Sequence, residues 1–193
     1  MQRCGWVSQD PLYIAYHDTE WGVAQRNAQH LFEMICLEGQ QAGLSWITVL
    51  KKRENYRQAF HHFDPRKVAA MTDEDVERLV MDAGIIRHRG KIQAIIGNAR
   101  AFLAMEQNGE PFVEFVWSFV DDKPIVTAAA TLAEIPTSTP ASDALSKALK
   151  KRGFKFVGTT ICYSFMQACG LVNDHVTGCI CHPGGSNDPR MAP

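Results

Sequence analysis

Apolar positions recur along this chain at the three- and four-residue spacing that places them on one face of a helix, in segment after segment. Between His30 and Glu38, Leu31, Met34 and Ile35 share a face, and Gly39 supplies a stop signal. A second helix is predicted from about Ser45. Thr72, followed by Asp73, Glu74, Asp75 and Val76, puts a capping hydroxyl and acids where a helix N-terminus favours them, with Gly84 as a left-handed exit. Ile92, Ile95, Ile96, Ala99 and Leu103 predict a long helix from about Gly90 to Gln107, with Gly97 as its weak point. Ser142 to Arg152 reads as another helix, ended by Gly153 and carrying Lys147, Lys150, Lys151 and Arg152 toward its C-terminus. The predicted fold class is all-α.

Residues Asp121 to Pro140 hold little regular pattern and contain Pro124, Pro136 and Pro140, so they read as a long connection. No repeat of solenoid length is visible. The simplest organisation is one compact helical unit over residues 1–182, which a chain of this size could also fold as two lobes around a cleft, followed by a disordered tail from Pro183 to Pro193. No apolar run approaches the roughly 18 residues of a membrane span, and Met1 to Trp6 lacks the hydrophobic region of a signal peptide. A cytoplasmic monomer with no membrane partner is expected. In that compartment the six cysteines are thiols or metal ligands. The net charge of −1 announces no nucleic-acid partner, so any case for one rests on local clusters.

Two such clusters stand out. Lys150-Lys151-Arg152-Gly153-Phe154-Lys155-Phe156-Val157-Gly158-Thr159-Thr160 joins one helix to the next through a turn with glycine at both ends. Glycines admit a phosphate close to the backbone, and the free N–H groups of the following helix supply donors. Arg87-His88-Arg89-Gly90-Lys91 opens an apolar helix and offers a second clamp, although short basic runs at helix ends are usually solvated charge.

Metal-ligating residues gather at the two ends of the chain. Cys4 and His17 (C-x12-H) and His175 and Cys179 (H-x3-C) together make the Cys2His2 mixture that tetrahedral zinc favours. Spacing alone leaves Cys181 and His182 as substitutes for one ligand. Four protein ligands leave no position for a water, which makes such an ion structural.

Aromatic rings crowd the first 46 residues: Trp6, Tyr13, Tyr16, Trp21 and Trp46. Flat faces of this kind stack on bases or fill a core, and for Trp6 and Trp21 both readings stand. Glu38 continues the apolar face of Leu31 and Ile35 at a helix C-terminus, where the dipole disfavours an anion. A carboxylate buried there would have a raised pKa and would suit a polar or cationic ligand. Gly39 to Trp46 then forms a small-residue loop with one protruding apolar side chain, Leu44, beside Gly43. Such a loop can wedge into a base stack or simply connect two helices.

At these residues the chain resembles a known family. Arg3-Cys4-Gly5-Trp6, Tyr16-His17-Asp18, Glu20-Trp21-Gly22, Leu37 to Trp46, Gly84-Ile85-Ile86-Arg87, the turn from Gly153 to Gly158 and Val172-Asn173-Asp174-His175 are similar to the 3-methyladenine DNA glycosylase I family of helix-hairpin-helix enzymes. The resemblance implies removal of 3-methyladenine from alkylated double-stranded DNA, with the free base as product, and one zinc held by Cys4, His17, His175 and Cys179. It implies a base pocket in which Glu38, the candidate catalytic group, acts with Tyr16 and Trp46, beside Tyr13, Trp6 and Trp21. The candidate DNA-contact residues are Gly43, Leu44, Gly153, Lys155, Gly158 and Thr159. Asn173 stands where the wider superfamily carries a catalytic aspartate, and Thr160 where its lyases carry lysine, which implies a monofunctional enzyme using water.

Overall fold

The computed structural model describes residues 2–184, so most of the segment read as a tail, 185–193, lies outside the described residues. Nine α-helices run in order: α1 (Pro11–Thr19), α2 (Ala28–Gln40), α3 (Trp46–Ala59), α4 (Pro65–Ala69), α5 (Asp73–Leu79), α6 (Arg89–Gln107), α7 (Phe112–Trp117), α8 (Pro140–Lys151) and α9 (Thr159–Ala168) among the described residues. Most begin at side chains chemically suited to the task. Asp10 accepts from Leu12 N and Asn27 from His30 N, and Thr72 with Asp75 and Thr139 with Ser142 close capping boxes.

The centre of the molecule is α2, in which every residue from Leu31 to Gln40 is buried. It packs against α3, α6, α7 and α9. Phe32, Phe63, Phe102 and Phe112 continue the core away from the C-terminal end of α2. Helices α8 and α9 pack as an antiparallel pair around the turn 152–158, which is the helix-hairpin-helix unit.

Two glycines do other work than the sequence suggests. Gly39 does not stop α2, which continues through Gln40; a Cβ there would lie 3.2 Å from both the Cβ and the carbonyl oxygen of Phe156, so its bareness lets the α8–α9 turn seat on the helix. Gly84 is not a left-handed exit from α5, which ends at Leu79 on an α-helical cap, Val80; it lies in a turn whose N–H donates to Asp82 and whose carbonyl accepts from Asn55 Nδ2. Gly153 has the left-handed φ expected of it, +93°. Gly97 leaves α6 uninterrupted.

The connection between α7 and α8 is less irregular than its composition implies. Ile125–Val126 (β1) pairs in parallel with Val172–Asn173 (β2), and Thr177 N donates to Ala129 O. The long segment is thereby stitched to the C-terminal stretch, which in turn lies against the N-terminus through Ile180 N to Gln2 O. After α1 the chain crosses the end of α9, where Gly22 N donates to Gln167 O and Gln25 N to Cys169 O. Gly170, with φ +69°, lies so close that a Cβ would come within 2.3 Å of the Val23 carbonyl carbon.

The two most contrasting glycines give a direct check on this packing. Gly170→Ala is expected to destabilise the protein by at least ~2 kcal/mol, because backbone must move. Gly97→Ala, in open space within α6, should stabilise it by ~0.5–1 kcal/mol. Urea unfolding of both variants reads the two signs.

Candidate base-binding and metal site

At the C-terminal end of α2 a cavity of about 300 Å³ opens between that helix, α1, α9 and the connection before α8. Its size falls in the range of small-molecule sites. Trp6, Tyr13, Tyr16, Trp21 and Trp46 all line it, with Glu38 and Gln41. The six residues predicted for base binding are therefore brought together. Tyr16 and Trp46 pack with ring centroids 5.6 Å apart and planes tilted by 44°, and Trp6 packs on Tyr13 at 5.0 Å and on Trp21 at 5.0 Å.

Glu38 is buried rather than frayed into solvent, and its Oε2 has no hydrogen-bond partner among the described residues. Burial pushes its pKa up to about 8, so the carboxyl holds its proton at neutral pH. Trp46 Nε1 is likewise buried and unpartnered. Leaving such a group unpaired costs about 1–3 kcal/mol. Two orphan polar atoms thus border one aromatic cavity. The phenol of Tyr16 is pushed well above its ordinary pKa, first by burial and then by Glu38, so it stays neutral.

Sequence reasoning missed the opposite wall. Leu132, Ile135, Pro136 and Thr137 come from the connection read as irregular, and Ser164 and Gln167 from α9. The clearest available signal was the pair of large apolar residues Leu132 and Ile135 three positions apart in a proline-flanked stretch. Gln167 Nε2 donates to Asp174 at 2.8 Å, and Asp174 also accepts from Thr127 Oγ1 and the Tyr163 hydroxyl. Asn173 turns away from the cavity: its side chain accepts from His175 N and donates to Gly22 O.

Beside the cavity lie Cys4, His17, His175 and Cys179, all buried, with ligand atoms within 4.8 Å of one another. Cys179 Sγ is 3.4 Å from His17 Nε2 and 3.5 Å from His175 Nδ1, and Cys4 Sγ is 3.6 Å from His175 Nδ1. A tetrahedral ion with zinc-like bond lengths needs edges of roughly 3.4–3.8 Å between such atoms, so the set fits. The outward nitrogens are also fixed, His17 Nδ1 by Asp18 at 2.7 Å and His175 Nε2 by Trp21 O at 2.8 Å. Arg3 grips Asp18 in turn. The Cys179 thiol is pushed far down, chiefly by hydrogen bonds from Cys181 and Cys4, which favours a thiolate. Of the two alternative ligands, Cys181 donates its N–H to Cys179 Sγ and His182 reaches Thr127 O. These four residues could hold a metal ion, and the same histidines brace the pocket, since Trp6 packs on His17 at 5.2 Å and Trp21 on His175 at 4.7 Å.

Of the predicted DNA-contact residues, Gly43, Leu44, Gly153 and Lys155 are exposed. Leu44 is exposed at 43% and follows Gly43, whose φ is +78°. Lys155 is exposed, Gly158 caps α9 with open space at its Cα, and Gly153 is exposed. Thr159 has its hydroxyl engaged by Asp143 and Ser142, leaving only its backbone for a phosphate. In the second basic cluster Arg89 pairs with Glu77, Lys91 is buried and His88 caps α6, while Arg87 is exposed. Cys36, two residues before Glu38, is buried, and burial raises the pKa of its thiol.

An aromatic cavity with an unpaired carboxyl, beside a helix-hairpin-helix unit, defines a base-handling enzyme fold. The methyladenine glycosylase family profile matches residues 6–182, and the chain belongs to that family. It is 84% identical to DNA-3-methyladenine glycosylase 1 of Escherichia coli K12, over 95% of this chain and 98% of that protein. A crystal structure of 3-methyladenine DNA glycosylase I superposes with a TM-score of 0.94 at 80% identity, covering 94% of this chain and all of the other. Another, a variant of 3-methyladenine DNA glycosylase I in complex with 3-methyladenine, is 40% identical with a TM-score of 0.91 over 95% of this chain and 98% of its own.

Protonation of Glu38 links the site to stability. Its folded pKa lies above its unfolded one, 4.5, so the unfolded chain loses this proton first as pH rises. Stability should fall between pH 4.5 and about 8, with a slope of up to ~1.4 kcal/mol per pH unit from this group. Glu38→Gln should abolish that component of the slope in urea unfolding measured across the range.

Proposed function

We propose that this protein is a monofunctional DNA glycosylase that removes 3-methyladenine from alkylated double-stranded DNA, acting as a cytoplasmic monomer in base excision repair. The observation that carries this reading is the pair of buried, unpartnered atoms, Glu38 Oε2 and Trp46 Nε1, on a cavity walled by aromatic rings. A purine presents flat faces and polar edges, and a cavity with aromatic walls and two unpartnered polar atoms complements both. Among the described residues no helix is long and apolar enough to cross a membrane.

The chemistry follows from the substrate. 3-Methyladenine in DNA carries a positive charge, so when the N-glycosidic bond breaks its electron pair neutralises the departing base. Water supplies the oxygen that bonds the sugar carbon and releases a proton. Extrusion costs a few kcal/mol of stacking, which Tyr16 and Trp46 return by stacking on the flipped base. Glu38 accepts from the amino edge, and its proton passes to water as the cationic ring of the alkylated nucleotide approaches, so the pocket favours the alkylated base over neutral adenine. Trp6, Tyr13 and Trp21 shape the cavity around them. Leu44, carried by Gly43, fills the gap left in the stack, and Gly153, Lys155, Gly158 and the Thr159 backbone hold phosphate.

Cys4, His17, His175 and Cys179 would hold one structural zinc. Bound there with four protein ligands, the ion supplies cohesion between the chain ends and no activated water. The carboxylate and carbonyl that orient the two histidines support this assignment.

Incubation with methylated duplex DNA should release free 3-methyladenine, identified by chromatography, and leave abasic sites without strand cleavage. Glu38→Ala should weaken free-base binding by tens-fold or more, the worth of a buried charge-assisted hydrogen bond at ~1.5–3 kcal/mol. Wild-type affinity and excision in folded Glu38→Ala protein would remove Glu38 from the site. Elemental analysis should find one zinc per chain; Cys4→Ala should lose it and melt at lower temperature, and full zinc retention in that variant would defeat the clasp.

A further inference from the structure

Two side chains of α6 are polar and buried where the sequence pattern calls for core. Lys91 is 5% exposed and Asn98 is 3% exposed. They lie seven residues apart, nearly two turns, so they share one face about 10 Å apart along the axis. Each is committed to the backbone of a different loop. Lys91 Nζ donates to Gln40 O at 2.9 Å and to Ala42 O at 2.6 Å, the carbonyls at the end of α2 and just before Gly43. Gln40 Nε2 returns a bond to Lys91 O at 3.0 Å, and its Oε1 accepts from the Tyr56 hydroxyl. Asn98 Oδ1 accepts from Lys155 N at 2.9 Å and its Nδ2 donates to Lys155 O at 3.2 Å, gripping both polar groups of that residue in the α8–α9 turn.

We infer that α6 is a rigid spacer that sets the two DNA-contacting loops at a fixed separation, with Lys91 positioning the Gly43–Leu44 wedge and Asn98 positioning the turn around Lys155. The inference rests on the reading of those loops as DNA contacts. A cation is suited to the first task, because several orphan carbonyls converge at a helix C-terminus and one ammonium can bind two of them. Fixing the Ala42 carbonyl orients the peptide that leads into Gly43, whose left-handed φ then projects Leu44. An amide is suited to the second, offering one donor and one acceptor to a single extended residue. Phe156 seated on Gly39 joins the two loops independently. Neither Lys91 nor Asn98 touches the base cavity, so both act as positioning residues and not in the chemistry.

The test uses full-length Lys91→Met and Asn98→Ala, a duplex containing a stable abasic-site analogue with 2-aminopurine beside it, and free 3-methyladenine. Lys91→Met should weaken duplex binding about tenfold and lose the 2-aminopurine fluorescence gain that the wedge produces, with free-base affinity unchanged. In a Leu44→Ala background the same substitution should add little, since both act through one side chain. Asn98→Ala should weaken the duplex and flatten its salt dependence by about one phosphate contact. Lys91→Gln, which keeps one donor, replaces the methionine variant if that one does not fold. Equal losses of base and duplex affinity would show general support of the fold and overturn the inference, as would full additivity with Leu44→Ala. None of these arms measures excision, so their failure is separable from failure of the proposed glycosylase activity.

Discussion

The structure turns on one carboxyl group buried without a counter-charge. Glu38 sits at the C-terminal end of the most buried helix, where the dipole, the low dielectric and the lack of a partner for Oε2 all disfavour ionisation. A folded protein keeps such an arrangement only if its surroundings leave it no way out. Here Gln40, Lys91 and Tyr56 close the helix end, Phe156 seats on Gly39, and Tyr16 and Trp46 stand over the cavity. The unsatisfied carboxyl is therefore preorganised, and a ligand that supplies a donor or a positive charge recovers what burial costs.

The same constraint explains why the chain ends meet. The pocket wall formed by Trp6, Tyr13, Tyr16 and Trp21 belongs to a segment with a single short helix, too little regular structure to hold four large rings in place by itself. His17 and His175 pack on Trp6 and Trp21, and Cys4 and Cys179 complete the cluster, so the distant C-terminal segment braces the N-terminal one. The parallel β1–β2 pair adds the connection whose Ile135, Pro136 and Thr137 close the cavity on the far side. Clasp, strand pair and aromatic wall are consecutive layers of one support.

Much of this was legible in the residues. Helical periodicity and caps gave α2, α6 and α8 near their observed bounds and the start of α5, and an acid on the apolar stripe of α2 singled out Glu38. The aromatic cluster and the paired Cys/His spacings named both neighbouring sites. What periodicity could not supply was long-range packing. Gly39 and Gly84 look like terminators because local rules know only backbone freedom, whereas here they admit Phe156 and Asn55. Lys91 reads as part of a basic surface run, yet its ammonium is enclosed by carbonyls from a segment some 50 residues earlier. Ser164 and Gln167 carry no mark of a pocket in the sequence, although both line it with Leu132 and Ile135.

The central claim is that Glu38 is held neutral in the free protein and that a hydrogen bond donated by the bound base lowers its pKa. Carbon-13 NMR of the labelled Glu38 carboxyl, titrated with and without 3-methyladenine, tests it most directly. The account predicts a midpoint near 8 in the free protein and a lower one in the complex, where the amino edge of the base donates to the carboxylate. A carboxylate already ionised at pH 6 in the free protein, or one whose titration the base leaves unmoved, would contradict it.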